Sequence, residues 1–276
     1  MRITIYLHAL SLRVLVSFIS FACLAEERFT PDHLASTYRD SAESLIRKAL
    51  DSDHGFERLA EMCDRFGPRF SGSATLEQAI DWALEEMEKD GFSKVRGEPV
   101  MVPRWVRGKE SLSIISPLEK SCRMLGLGGS VGTGPDGVVA EVLVVQSFEE
   151  LKANQVQAKG KIVLFNAPFT DYGATVVFRV RGAIEAAKAG AVASLIRSVG
   201  PFSMQTPHTG MMVYDDAVPR IPHAAITLED AMLLERMQER GDLLKVELHM
   251  EAQNMEPSLS RNVVAEIPGL ESPEEI

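Results

Sequence analysis

Residues able to do acid, base or nucleophilic chemistry are scattered along this 276-residue chain. His33, His54, His208, His223 and His249 stand far apart, with no His-Glu-x-x-His helix and no close His-x-Asp pair, so spacing alone assembles no metal site. Ser71 and Ser113 lack the Gly-x-Ser-x-Gly turn that exposes a serine nucleophile, and neither Cys63 nor Cys122 has a thiol-protease context. The glycine-rich run GLGGSVGTG, 126–134, does not make a dinucleotide loop. The third required glycine falls on Val131, and the run leads into a strand where a phosphate loop would open a helix. Its glycines read as turn formers. One stretch, TPHTGMMVYDD, sets His208 between Pro207 and Thr209 with Asp215 and Asp216 soon after. A loop of this kind can contact a ligand or a neighbouring domain, but a histidine that hydrogen-bonds locally is the preferred reading. No catalytic, cofactor-binding or metal-ligating residue is assigned from spacing.

The elements around these residues are clearer. Over 26–50, Leu34, Tyr38, Ala42, Leu45, Ile46 and Ala49 share one helical face after a start at Thr30-Pro31-Asp32, which reads as a helical pro-segment or simply an N-terminal helix. From Leu76 the apolar positions Ala79, Ile80, Ala83, Leu84 and Met87 continue at helical spacing. Thr75 and Gln78 stand at capping-box spacing, and Gly91 ends the run. Its Asp81, Glu85, Glu86 and Glu88 read as a solvated face. Alternation then predicts strands near Lys94 to Val102 and Glu110 to Ser116.

From about Ser121 the texture becomes that of an α/β module. GVVAEVLVV and KGKIVLFNA are strands, FRVRGAIEAAKAGAVASLIRSV is a helix closed by Gly190 and followed by a strand, and IPHAAITLEDAMLLERMQERGDLLKVELHM repeats the pattern with Thr227 as N-cap and Gly241 as stop. Val263 to Ile267 reads as a buried strand closed by Pro268-Gly269. Strands on either side of the module then belong to another sheet, which makes the module an insertion. The divisions read as 1–25 leader, 26–50 helix, 51–120 first part of the outer domain, 121–250 insertion, and 251–276 return to the outer domain.

A hydrophobic share of 45% and a charged share of 25% suit a globular protein, and the formal charge of −10 argues against nucleic-acid partners. Arg2, His8 and Arg13 precede an apolar run from Val14 to Ala25 that is short for a membrane span, so a signal peptide cleaved after Ala25 is expected, followed by secretion. Cleavage removes Arg2, Arg13 and Cys23, taking the formal charge from −10 to −12. Cys63 and Cys122 remain, too few for a disulfide scaffold, and their pairing is left open. No Asn-x-Ser/Thr acceptor occurs.

The stretches FGPRFSGSATLEQAIDWALEEMEKDGFSKVRGEPVMVPRWVRGKES, LGLGGSVGTGPDGVVAEVLVVQSFEEL, GAIEAAKAGAVASLIRS and PHTGMMVYDDAVPRIPHAAITLEDA resemble the carboxypeptidase Q family, secreted di-zinc exopeptidases of the aminopeptidase-like class. The resemblance runs from about Ser44 to Ile267. It implies an incomplete aminopeptidase-like α/β domain interrupted by a protease-associated α/β insertion, with a signal peptide, a pro-segment and a homodimer. It also implies transit through the endoplasmic reticulum and Golgi, with the lysosome as a further destination. Small peptides would be the substrates. Two zinc ions roughly 3.5 to 4 Å apart would activate the hydrolytic water. The family's His-x-Asp motif, its other ligands and its general-base Glu follow the strand that NVVAEIPG resembles, so the 276 residues are expected to be inactive alone. Only framework carries over: Gly67, Pro68, Arg69, Gly72 and Ser73 match the family's GPR-x-SGS entry to its first long helix. The rival expectation is a non-catalytic secreted interaction module built on the inserted domain.

Overall fold

A computed structural model describes residues 31–202, 204–270 and 273. The leader at 1–25, residues 26–30 and most of the acidic tail lie outside them. The chain divides into two units at Gly67.

The first unit, as far as it is described, is a pair of helices, α1 (Pro31–Leu50) and α2 (His54–Phe66). The 3.6-residue spacing of Leu34, Tyr38, Leu45 and Ile46 makes α1 amphipathic, yet none of its residues is buried. Helix α2 stops at Gly67, whose φ of +56° suits glycine and whose N–H bonds the Cys63 carbonyl at 3.0 Å. Pro68, with no N–H to give, follows it.

The second unit opens with α3 (Ala74–Lys89), which packs on a ribbon of two long antiparallel strands, β1 (Ser93–Val106) and β10 (Gln253–Glu266). The cap of α3 is Ser73 rather than Thr75. The Ser73 hydroxyl accepts from Leu76 N, while Thr75 donates its hydroxyl to the Pro68 carbonyl at 2.9 Å and braces the turn before the helix. Asp81 is not wholly a solvated charge either. It joins Glu77 in holding Arg261 of β10, at 2.8 and 3.1 Å, and Ser260 donates to Glu77 at 2.6 Å. The strand expected at Val263 to Ile267 is the last part of β10, and Val263 to Glu266 are half-buried rather than buried, because β1 and β10 are the only members of their sheet among the described residues.

Between the ribbon strands lies an eight-stranded sheet. Its members are β2 (Glu110–Ser116), β3 (Lys120–Cys122), β4 (Met124–Gly126), β5 (Val138–Val145), β6 (Ile162–Phe165), β7 (Ala193–Arg197), β8 (His223–Ile226) and β9 (Lys245–Met250), in the order β3-β2-β9-β5-β6-β7-β8-β4. The central β5-β6-β7-β8 pairs are parallel and the flanking pairs antiparallel. Two short helices, α4 (Phe148–Ala153) and α5 (Gln155–Ala158), and two longer ones, α6 (Tyr172–Lys188) and α7 (Leu228–Glu239), make the connections. The continuous apolar runs VLVV and IVLF are explained by burial on both faces. Val142, Val144, Ile162 and Leu164 pack with Leu234 and Met237 of α7, whereas Leu143, Val145, Val163 and Phe165 pack with Ala183, Ala186 and Ala187 of α6. Caps fall where the residue types put them: Thr227 accepts from Asp230 N at the head of α7, and Gly190 and Gly241 take positive φ past the ends of α6 and α7.

The sequence reading groups Glu110 to Ser116 with the segment before 121. In the structure this strand pairs with β9 over Glu110–Ser116 and Lys245–Met250, and so belongs to the eight-stranded sheet. Alternating apolar positions predict a strand but not its partner. Leu112 and Ile114 are fully buried beside Val246 and Leu248, whereas Ile115 keeps 38% of its surface exposed. Two adjacent isoleucines therefore test the assignment. Ile114→Ala is expected to cost about 2–5 kcal/mol in urea unfolding and Ile115→Ala less than about 1 kcal/mol; equal costs would place β2 outside the core.

Candidate functional site

The sites suggested by residue type do not converge. Ser71 is exposed in the turn before α3, Ser113 lies half-buried within β2, Cys63 is exposed and Cys122 is buried, both as free thiols. Burial pushes the Cys122 thiol up to about 11 and leaves it protonated at neutral pH. Among the described residues no three His, Cys, Asp or Glu side chains come together as a metal-ligand group. Zinc does not fit the donors these residues present.

His208 is held through its backbone. Its N–H donates to Ser198 Oγ at 2.8 Å, and its exposed ring stands edge-on to Tyr172 with centroids 6.3 Å apart. Asp215 accepts from Ala217 N and Asp216 pairs with Arg220, so neither carboxylate orients the imidazole. His223, given no role by its spacing, is fully buried. Ser194 Oγ sits 2.6 Å from Nδ1, the Phe178 carbonyl 3.3 Å from Nε2, and His223 N donates to Ser130 Oγ at 2.9 Å. Burial lowers its pKa to about 4 despite these partners.

Ser130 connects that buried network to the ribbon, because its carbonyl accepts from Trp105 Nε1 at 2.8 Å. Around Trp105 the structure builds what the sequence did not disclose. Phe70 meets the Trp105 ring edge-to-face at 5.6 Å, and the Arg107 guanidinium lies over both rings at 5.3 and 5.1 Å while pairing with Glu110 at 3.1 Å. Opposite them, Gly128 N bonds the Gly210 carbonyl and Met212 N bonds the Gly128 carbonyl, stitching the glycine-rich run to the His208 loop. A Cβ at Gly128 would come within 2.8 Å of Met211 Sδ, so the Met211 side chain packs directly over this glycine. Between these walls is a cavity of about 370 Å³, its lining largely apolar and supplied by Phe70, Pro103, Trp105, Met211 and glycine backbone, with Arg104 on its border. The signal that could have found it was the pairing of aromatic and arginine residues in PRWVR beside the glycine run; no spacing rule joins the two.

Gly72 carries the framework's role. Its φ of +71° favours glycine, and a Cβ there would lie 3.1 Å from Arg104 Cβ and Ser258 Cβ, so the SGS turn seats directly on the ribbon.

This mixed α/β fold is that of peptidase M28 and aminopeptidase structures. The chain superimposes on the peptidase M28 precursor from Shewanella amazonensis with a TM-score of 0.78 and 34% identity, covering 85% of this chain and 55% of that one. A zinc aminopeptidase from Bacillus subtilis shares the fold at a TM-score of 0.55 and 20% identity, over 79% of this chain and 48% of that one. Among curated relatives, the chain is 48% identical to carboxypeptidase Q of Xenopus laevis over 244 residues, and 46% identical to human carboxypeptidase Q over 240 residues. These matches cover 87% and 86% of this chain, but the chain spans about half the length of each relative, 52% and 51%. No family model matches the chain.

A pH dependence follows from His223. Below the ordinary histidine pKa of about 6.5 the unfolded chain takes up a proton that the folded chain refuses until about pH 4, so this residue's share of stability is lost as pH falls through that window. Urea midpoints between pH 7 and pH 4.5 should fall for the wild type and fall less steeply for His223→Asn; identical slopes would remove the histidine from the account.

Proposed function

We propose that these residues supply framework to a secreted, carboxypeptidase Q-like metallopeptidase that hydrolyses dipeptides or the C-terminal residues of small peptides. The observation that carries the reading is 46–48% identity to carboxypeptidase Q across about seven-eighths of this chain. The 0.78 match to a peptidase M28 precursor supports it. Under this reading the eight-stranded body is a protease-associated domain, 1–25 is a cleaved leader and 26–50 a pro-segment. The protein is exported through the endoplasmic reticulum and Golgi, with the lysosome as a further destination, and works as a homodimer. Two zinc ions, supplying an activated water and polarising the scissile carbonyl, would be held by residues other than those described here.

The 276-residue chain is accordingly expected to hold less than stoichiometric zinc and to leave dipeptides intact, because an open catalytic zinc needs about three protein ligands. Equilibrium dialysis with zinc and a dipeptide assay measure both. Turnover that survives purification and disappears with a chelator would contradict the framework reading. A longer protein containing these residues that is zinc-loaded and still inert on dipeptides would favour a secreted, non-catalytic interaction module.

A further inference from the structure

We infer that Arg179 is the centre of a binding site for a small oxyanion of the phosphate or sulfate type, set between α6 and the loop that carries Gly210. Contacts on two sides fix the guanidinium. Its Cζ lies 5.6 Å from the centroid of the Tyr172 ring, and a Cβ on Gly210 would lie 2.7 Å from Cζ and 2.9 Å from Nε and Nη1, so the cation packs against that glycine's α-carbon. The loop is tied down around this contact: the Gly210 carbonyl accepts from Gly128 N at 2.9 Å, and Val213 N donates to the Val180 carbonyl at 3.1 Å. Arg179 is half-buried there, and Tyr172 keeps 49% of its surface exposed, so solvent reaches the cluster.

What the guanidinium lacks is an acceptor. Its Nε is buried without a hydrogen-bond partner, and its terminal nitrogens bond and pair with none of the described residues. The carboxylates of the helix, its cap and the loop are already engaged: Glu185 pairs with Arg181 and Lys188, Asp171 accepts from Ala174 N, Asp215 accepts from Ala217 N and Asp216 pairs with Arg220. Other half-buried arginines have their counter-charge. Arg107 has Glu110, Arg261 has Glu77 and Asp81, and Arg197, whose Nε is also unpartnered, has the Glu235 carboxylate as a neighbour. A cation taken partly out of water with no counter-ion is costly, and the face of Tyr172 offsets only part of that cost. An anion from solution supplies the rest. The planar fork matches phosphate and sulfate oxygens, and a phosphate brings three acceptor oxygens and about two negative charges where a carboxylate brings two oxygens and one charge. The same chemistry is carried by the free ion and by a monoester. The site lies wholly on the eight-stranded body and does not rest on the peptidase reading.

The test is calorimetric titration of the 276-residue chain with inorganic phosphate, sulfate, phenyl phosphate and acetate, sodium chloride holding the ionic strength constant. Saturable binding of phosphate and sulfate is expected, about tenfold or more tighter than acetate, and the thermal midpoint should rise with phosphate concentration. Tighter binding of phenyl phosphate than of phosphate assigns the site to a monoester, and equal or weaker binding assigns it to the free ion. Arg179→Gln should weaken phosphate by about tenfold or more. Gly210→Ala retains the arginine but puts a methyl group where the guanidinium lies, so it should weaken phosphate as well, and it carries the test if Arg179→Gln does not fold. Arg181→Gln, on the same helix and paired with Glu185, should leave binding as it was. No saturable phosphate binding, acetate bound as tightly as phosphate, undiminished binding by the folded Arg179→Gln or Gly210→Ala protein, or an equal loss in Arg181→Gln would overturn the assignment.

Discussion

The pairing of β1 with β10 is the constraint from which the rest of the second unit follows. Val106 meets Gln253 and Ser93 meets Glu266, so two strands separated by some 150 residues run alongside each other for their whole length. Everything between Val106 and Gln253 is thereby a closed loop, and a closed loop of that size persists only if it has a core of its own. It does: both faces of the eight-stranded sheet are covered, one by α7 and the other by α6. The ribbon also receives α3 through the Glu77, Asp81 and Arg261 cluster, which holds the SGS turn where it can seat against Arg104. Exposed ion pairs of this kind contribute little each, about 0–1 kcal/mol, and their use here is to set register and orientation.

The cavity belongs to neither the ribbon nor the inserted sheet alone. Trp105 is the last but one residue of β1, Met211 comes from the loop between β7 and β8, and Gly128 follows β4. The hydrogen bonds that fix these walls run inward, from Trp105 to Ser130, from Ser130 to His223, and from His223 to Ser194 on the central strand β7. A neutral imidazole suits this path, because its two nitrogens can serve one as donor and one as acceptor while a charge there would be buried without a counter-ion. The loop carrying His208 is therefore positioned by buried serines and a buried histidine, and His208 itself is a bystander at its surface.

Much of the architecture was legible in residue order. Thr227, Gly190 and Gly241 mark helix ends because capping chemistry is local, and the runs in β5 and β6 announce strands buried on both faces. What was not legible is long-range. Ser73 displaced Thr75 as cap because Thr75 found the Pro68 carbonyl, a choice made by the turn's three-dimensional path. The partner of β2 was not readable because Leu112 and Ile114 would alternate identically in either sheet. The cavity escaped for the same reason: its walls come from segments far apart in the chain, and no spacing rule joins them.

The central claim is that the segment between the ribbon strands is a complete body that includes β2 and β3. The most direct measurement compares urea unfolding of residues 108–252 with that of residues 121–250, followed by tyrosine and far-ultraviolet signals together. The account predicts one cooperative transition for 108–252, and for 121–250 a non-cooperative or aggregating species, because β9 would keep β5 but lose β2 on its other edge, and Val246 and Leu248 would lose Leu112 and Ile114. Equal cooperativity and equal midpoints for the two fragments would contradict it.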